Sequence, residues 1–221
     1  MHMAVTGDGP PDLMLAAYPL FSISLVEILK RRHRYALHAA CVSRHGSGLL
    51  LAGTSGCGKS TLAVAFARRG FDILADDTVF LDDRRLRALA FPDEIDVTEA
   101  TISLFEELEP LRSQERRPGR TKHSLRPEVL GASTVSSCVP TAVVVPRVGN
   151  GTASRLDPME PAAALLELLP NVLLTDPASS QAHLDALGSL VRRIPAFRLE
   201  TGRDPSAAVD LLEPMINPGA P

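Results

Sequence analysis

The segment GTSGCGKST, from Gly53 to Thr61, constrains the fold of this chain more than any other stretch of the sequence. It fits the phosphate-binding pattern of a glycine, four residues, then Gly58, Lys59 and Ser60. The apolar run GLLLAG comes before it, and the amphipathic run TLAVAFARRG follows it. This context predicts a strand, a loop and a helix, with the backbone N–H groups of the loop turned toward an anion.

The residue types of this loop suit the binding of phosphate. Its glycines allow backbone angles that other residues disfavour, Lys59 reaches the outer phosphates, and the Ser60 hydroxyl can ligate Mg²⁺. The alternative is a glycine-rich turn that matches the pattern by chance. We expect nucleotide contacts from Gly53, Thr54, Ser55, Gly56, Cys57, Gly58, Lys59, Ser60 and Thr61.

Two adjacent acids, Asp76 and Asp77, end the next apolar run, DILA. Acids at the carboxyl end of such a strand commonly hold Mg²⁺ or polarise a nucleophile. The charges of adjacent carboxylates also repel each other, which separates their pKa values, so one of them can act as a base near neutral pH. The alternative is a solvent-facing pair that caps a turn, which is our interpretation of the second pair, Asp82 and Asp83.

Strand and helix patterns alternate along the chain, which indicates an α/β fold. The runs LHAACV and GLLLAG, on either side of a glycine-containing turn, predict a β-hairpin before the phosphate loop. Residues 99–109 are expected to be helical and residues 110–128 to form a long basic loop. We expect a loose N-terminus at residues 1–15, a single domain at 16–217 and a tail at 218–221.

Composition excludes several classes of protein. The 23 basic residues nearly balance the 26 acidic ones, which argues against a broad basic face for nucleic acid. The N-terminus lacks a signal-peptide pattern, and the richest apolar run, at 162–174, is short and interrupted. We therefore expect a cytoplasmic protein without a membrane span. The three cysteines share no metal-ligand spacing, which argues against a zinc site.

Only three of the 23 basic residues are lysines, namely Lys30, Lys59 and Lys122. In such an arginine-rich chain, a lysine can mark a position that the wide arginine fork does not fit. Lys59 is such a position, and Lys122, in the basic loop, becomes the next candidate for a phosphate contact. The sequence offers no explanation for Lys30.

The stretch from His38 to Asp77 resembles the catalytic domain of HPr kinase/phosphorylase and the wider group of HPr-kinase-like proteins, which share a fold group with PEP carboxykinase. The segments that carry the resemblance are Leu37-His38, the phosphate loop, Arg69-Gly70 and Ala75-Asp76-Asp77, in this order and without a gap. The resemblance implies a single catalytic domain, with a β-hairpin before the loop and a mixed sheet flanked by helices.

The resemblance also implies an activity, the transfer of the γ-phosphate of ATP to a hydroxyl with Mg²⁺ as cofactor. Asp76 would take the proton from the accepting hydroxyl, and Lys59 would stabilise the transferred group. His38 would line the active site, while Ser60 and Asp77 would hold the metal. The acceptor would be Ser or Thr of a peptide or protein, including a modified-peptide precursor, or a small metabolite.

The sequence departs from the family pattern in three places. Thr61 stands where the family has Glu, the later Arg-Gly-x-Gly signature is missing, and few residues precede His38. These departures argue against HPr as the substrate and against the reverse, phosphorylase reaction. The family tends to assemble, so a homo-oligomer stays open.

Outside the family pattern, four residues are further candidates. Lys122, His123 and Arg126 could contact phosphate or acceptor, or lie in a solvated loop; Glu94 could be a second metal ligand or lie in a turn. Two other functions also stay open: a nucleotide-binding regulator that transfers nothing, and a nucleotide hydrolase in which the acid activates water. The choice between ATP and GTP is open as well.

Overall fold

The computed structural model describes residues 21–91, 94–116 and 121–216. The predicted loose N-terminus at 1–15 and the tail at 218–221 lie outside these ranges, as do Arg117 and Arg120 of the basic loop. In the described ranges, no helix has the length and apolar character needed to cross a membrane.

Eight of the strands form one mixed sheet in the order β2-β1-β4-β5-β8-β10-β9, in which β3 also pairs with β1, and β2 also pairs with β8. The strands are β1 (Arg34–Arg44), β2 (Ser47–Ala52), β3 (Asp72–Ala75), β4 (Thr78–Asp82), β5 (Arg87–Ala90), β6 (Ile95–Val97), β7 (His123–Leu125), β8 (Ser137–Val148), β9 (Arg155–Met159) and β10 (Ala196–Thr201). Strands β6 and β7 form a separate pair. The contacts of β8 with β2 and β10 are parallel, and the other pairings are antiparallel.

Helices cover both faces of the sheet. They are α1 (Ser22–Lys30), α2 (Lys59–Arg68), α3 (Glu99–Ile102), α4 (Pro161–Leu168), α5 (Pro177–Arg193) and α6 (Pro205–Ile216), with 3-10 turns at Glu106–Ser113, Pro127–Leu130 and Leu169–Asn171. Side chains alternate between the two faces of β2: Leu49 and Leu51 pack with α2 and α6, whereas Leu50 packs with α4 and α5. The predicted α/β fold, with a hairpin before the loop and a sheet flanked by helices, is confirmed.

Two predictions of local structure were wrong. The helix predicted at 99–109 ends at Ile102, and a 3-10 turn follows at Glu106–Ser113. Directly after Ile102, the N–H groups of Leu104 and Phe105 donate to carbonyl oxygens only three residues before them, which takes the chain out of the α-helical pattern. The basic loop is also less irregular than expected, because it contains β7, whose pairing with β6 the local polarity of the sequence conceals.

Candidate active site at the phosphate loop

The phosphate loop connects the end of β2 to the start of α2. Gly56 and Gly58 have φ angles of 83° and 105°, which side chains with a Cβ rarely adopt, and Gly58 is the N-cap of α2. A Cβ at Gly53 would stand 2.9 Å from the Cys57 sulfur, so the loop closes tightly on itself. The loop therefore has the strand, turn and helix N-terminus that the sequence predicts for an anion cradle.

Lys59 is held inside this loop. Its Nζ donates hydrogen bonds to the carbonyl oxygens of Gly53 at 2.6 Å and Thr54 at 3.1 Å, and the residue is only 6% exposed. Burial lowers the pKa of Lys59, against the opposing effects of Cys57 and the two acids Asp76 and Asp77. The Lys59 ammonium is therefore fixed within the loop by two backbone carbonyl oxygens.

Asp76 follows β3 and lies beneath the first turn of α2. Its Oδ2 accepts hydrogen bonds from the Ser60 hydroxyl at 2.9 Å and the Asp96 backbone N–H at 3.0 Å. Its Oδ1 is buried and has no hydrogen-bond partner among the described residues. Burial raises the pKa of Asp76 to about 6, although the two hydrogen bonds act in the opposite direction. One oxygen is thus left to accept a proton near neutral pH.

Asp77 has a different environment from its neighbour. The Nδ1 atom of His38 lies 2.9 Å from the carbonyl oxygen of Asp77 and 3.2 Å from its Oδ1. Both of these oxygens are acceptors, so this nitrogen carries the proton. The hydrogen bond from His38 is the main cause of a lowered pKa for Asp77. The two adjacent acids therefore separate into a proton acceptor and a persistent carboxylate.

These groups open into one cleft of about 320 Å³. It is lined by His38, Ser55, Gly56, Gly58, Lys59, Ser60, Thr61, Leu62, Asp76, Asp77, Asp96, Thr98, Ala100, Thr101, Leu104, Lys122, Val148, Thr201, Gly202, Arg203 and Pro205. The structure thus brings the loop, the acid pair, His38 and Lys122 together. Gly53, Thr54 and Cys57 line a second cavity, which shares Ser55, Gly56 and Val148 with the first.

Three candidates from the sequence are not in the lining of this cleft, as far as the described residues show. His123 is buried, with Nε2 3.1 Å from Glu99 and 3.0 Å from the Nε of Arg116. Arg126 is exposed and precedes the 3-10 turn at Pro127–Leu130. Glu94 lies just before β6, and the acid of that strand that lines the cleft is Asp96.

Asp96 is the functional candidate that the sequence analysis missed. Its neighbours Ile95 and Val97 are both buried, so the short alternation Ile-Asp-Val is a signal that the acid points to the other face of β6. Its side chain accepts a hydrogen bond from the Ser124 hydroxyl at 3.0 Å, which joins β6 to β7. Asp96 supports Asp76 through its backbone and contributes a carboxylate to the cleft.

The donor atoms of the cleft fit a hard cation. The Ser60 hydroxyl and the half-exposed carboxylate of Asp77 are oxygen donors, which Mg²⁺ prefers. No cluster of three His, Cys, Asp or Glu side chains suited to a metal occurs in the described ranges. Mg²⁺ usually keeps waters and phosphate oxygens as ligands, so a site of this type needs few protein ligands.

A glycine-rich loop between a strand and a helix on a mixed sheet, with a hairpin before it and an acid pair after the next strand, is the arrangement that the sequence predicts for a phosphate-loop α/β domain. Residues 30–95 match the family model of the HPr serine kinase C-terminal domain. This match confirms the resemblance to HPr-kinase-like catalytic domains, and it spans the hairpin, the loop, His38 and both acids.

The HPr(Ser) kinase/phosphatase structure from Coxiella burnetii is similar with 16% identity and a TM-score of 0.31, over 71% of this chain and 88% of that one. No curated protein is significantly similar to this chain in sequence.

Proposed function

We propose that this protein is an ATP- and Mg²⁺-dependent kinase that transfers the γ-phosphate to a hydroxyl. The observation that carries the proposal is the buried Asp76 carboxylate, which belongs to a residue that lines the cleft of the phosphate loop and has one oxygen without a hydrogen-bond partner. Phosphoryl transfer depends on positioning and charge neutralisation, and this cleft supplies a cradle, a buried ammonium and a base.

Each residue has a role in this proposal. The Oδ1 of Asp76 takes the proton from the acceptor hydroxyl as its oxygen forms a bond to the γ-phosphorus, and the bond to ADP breaks. Lys59 holds the phosphoryl oxygens, and His38 orients Asp77. Ser60 and Asp77 would hold Mg²⁺, which neutralises phosphate charge when it is bound.

The acceptor is proposed by chemical class. The acceptor needs a neutral hydroxyl that reaches Asp76 Oδ1, which Ser or Thr of a peptide or protein, a modified-peptide precursor, or a hydroxylated metabolite all provide. The cleft is lined at this point by Asp77, Asp96 and Lys122, so both signs of charge are available to position an acceptor.

A nucleotide hydrolase is a second candidate function. The unpartnered oxygen of Asp76 could equally accept a proton from a water molecule placed beside the γ-phosphate. The two functions differ in their need for an acceptor: a hydrolase releases inorganic phosphate from ATP alone, whereas a kinase labels a second molecule.

The decisive experiment uses γ-labelled ATP, Mg²⁺ and fractionated peptides and metabolites as acceptors. We expect Asp76→Asn to keep ATP binding and to slow transfer by at least about 100-fold, since the base is lost. Asp83→Asn, in the second acid pair and outside the cleft lining, is the matched control and should transfer as the wild type does. Wild-type transfer by Asp76→Asn would refute the assignment, and phosphate release without an acceptor would favour the hydrolase.

A further inference from the structure

The order of strands in the sheet places different residues on the two sides of the phosphate loop. The loop follows β2, which pairs with β1 on one side and with β8 on the other. Strand β3, which leads to Asp76, pairs with β1, whereas β10 pairs with β8. The acids and His38 therefore lie on the β1 and β3 side, and the ends of β8 and β10 form the other wall.

The residues at the ends of β8 and β10 line the cleft with aliphatic side chains and one guanidinium group. Val148 ends β8 and is 68% exposed, an unusual state for an aliphatic side chain in a cavity. Its Cγ2 lies 3.8 Å from the point where a Cβ on Gly58 would stand, so it adjoins the phosphate loop. Arg203, which is exposed, and Pro205 follow β10 and line the same cleft.

The backbone that carries Arg203 and Pro205 is fixed. The Thr201 carbonyl accepts from the Gly149 N–H at 3.0 Å, and the Gly202 N–H donates to the Ser154 hydroxyl at 3.0 Å. A Cβ on Gly202 would come within 2.5 Å of the Thr152 carbonyl oxygen, so the two loops touch closely. A wall held in this way is preformed for a ligand and loses little freedom on binding.

We infer that Val148, Arg203 and Pro205 form the site for the aromatic base of the nucleotide. This inference rests on the proposed function, which places the γ-phosphate beside Asp76, on the other side of the loop. A triphosphate oriented in that way directs its base toward β8 and β10. A neutral aromatic ring can pack on the aliphatic side chains and against the guanidinium face of Arg203.

The inference separates contacts with the base from contacts with the phosphates, so the test compares two ligands. Calorimetry in the presence of Mg²⁺ measures the affinity of the full chain for ATP and for inorganic tripolyphosphate, which has no base. We expect the wild type to prefer ATP. The double variant Val148→Ala, Arg203→Ala should lose about tenfold in ATP affinity and keep its affinity for tripolyphosphate.

The matched control is Val139→Ala, Arg155→Ala, which makes the same changes at exposed positions outside the cleft lining and should leave both affinities unchanged. If the Val148 and Arg203 double variant binds ATP as tightly as the wild type, the proposed base site is wrong. An equal loss of tripolyphosphate affinity overturns it too, because the residues would then contact phosphate. Lys59→Ala distinguishes the two proposals: if it weakens neither ligand, the proposed function itself fails.

Discussion

The Ser60 hydroxyl donates a hydrogen bond to the Asp76 carboxylate at 2.9 Å, and this bond joins the first turn of α2 to the end of β3. The residue that a phosphate loop uses for a metal thus touches the acid that we propose as the base. Nucleotide binding and proton acceptance are therefore built on adjacent atoms, and a change at one is expected to affect the other.

We expect the Asp76 carboxylate to destabilise the folded protein at neutral pH, and the replacement of Asp76 to reveal this. Its pKa is raised from the ordinary value near 3.8 to about 6, so between these pH values the folded state holds a proton that the unfolded state releases. The neutral Asp76 side chain therefore costs the folded state nothing at low pH. The free energy of unfolding falls as pH rises through about 6, because the buried side chain then becomes charged. We expect Asp76→Asn to raise the free energy of unfolding by up to about 3 kcal/mol at pH 8.

Thermal unfolding of the wild type and Asp76→Asn at pH 8 and pH 4 measures this effect. The stabilisation should shrink at pH 4, where Asp76 of the folded wild type is already neutral. A variant that is less stable than the wild type at pH 8 would contradict the prediction. The same variant is expected to lose transfer activity, so stability and activity should move in opposite directions.

Lys59 should not be replaceable by arginine. Its ammonium fits between two carbonyl oxygens in a slot that leaves the residue 6% exposed, and a guanidinium is wider and flat. We expect both Lys59→Ala and Lys59→Arg to weaken ATP binding by roughly tenfold or more. Wild-type affinity of Lys59→Arg would show that the slot accepts the larger group.

The local parts of the site were predictable from sequence, and its long-range parts were not. Gly53 to Asp77 form consecutive elements, so their spacing alone brings the loop and the acids together. Val148 and Arg203 reach the cleft only because β8 pairs with β2 and β10 pairs with β8. His123 is buried through its contact with Glu99, and the basic composition of its loop does not reveal this tertiary contact.

Lys30, which the sequence left unexplained, has a structural role. Its side chain is fully buried, its Nζ contacts Glu27 at 2.6 Å, and it also bonds to the carbonyl oxygen of Leu173. Lys30→Met keeps most of the volume but leaves Glu27 without this cation. We expect a loss of roughly 3 kcal/mol in the free energy of unfolding, with unchanged transfer activity in the folded fraction.

The double variant Lys30→Met, Glu27→Gln is the control for the Lys30 prediction, measured by denaturant unfolding. Removing both charges should recover part of the loss, because the penalty of Lys30→Met comes from an unpaired carboxylate. If the double variant is as unstable as the sum of the single ones, the pair contributes no coupling and the prediction fails.

We expect the charge of Lys122 to influence the pKa of Asp76, the proposed base. It lines the cleft, and its charge helps to lower the pKa of both Asp76 and Asp77. Removing the charge in Lys122→Ala raises the pKa of Asp76 further, so the acid limb of the pH profile of transfer should move to higher pH. A cation beside the transferred phosphate is also lost, so we expect kcat at pH 7.5 to fall roughly tenfold or more.

Lys122→Arg separates these effects of charge from effects of shape. It keeps the cation, so its acid limb should coincide with that of the wild type even if kcat changes with the different fork geometry. The measurement is the rate of γ-phosphate transfer between pH 5 and pH 9 for all three proteins. If Lys122→Ala shows the wild-type acid limb, the lysine does not act on the pKa of Asp76, and a lower kcat then reflects the lost cation beside the phosphate alone.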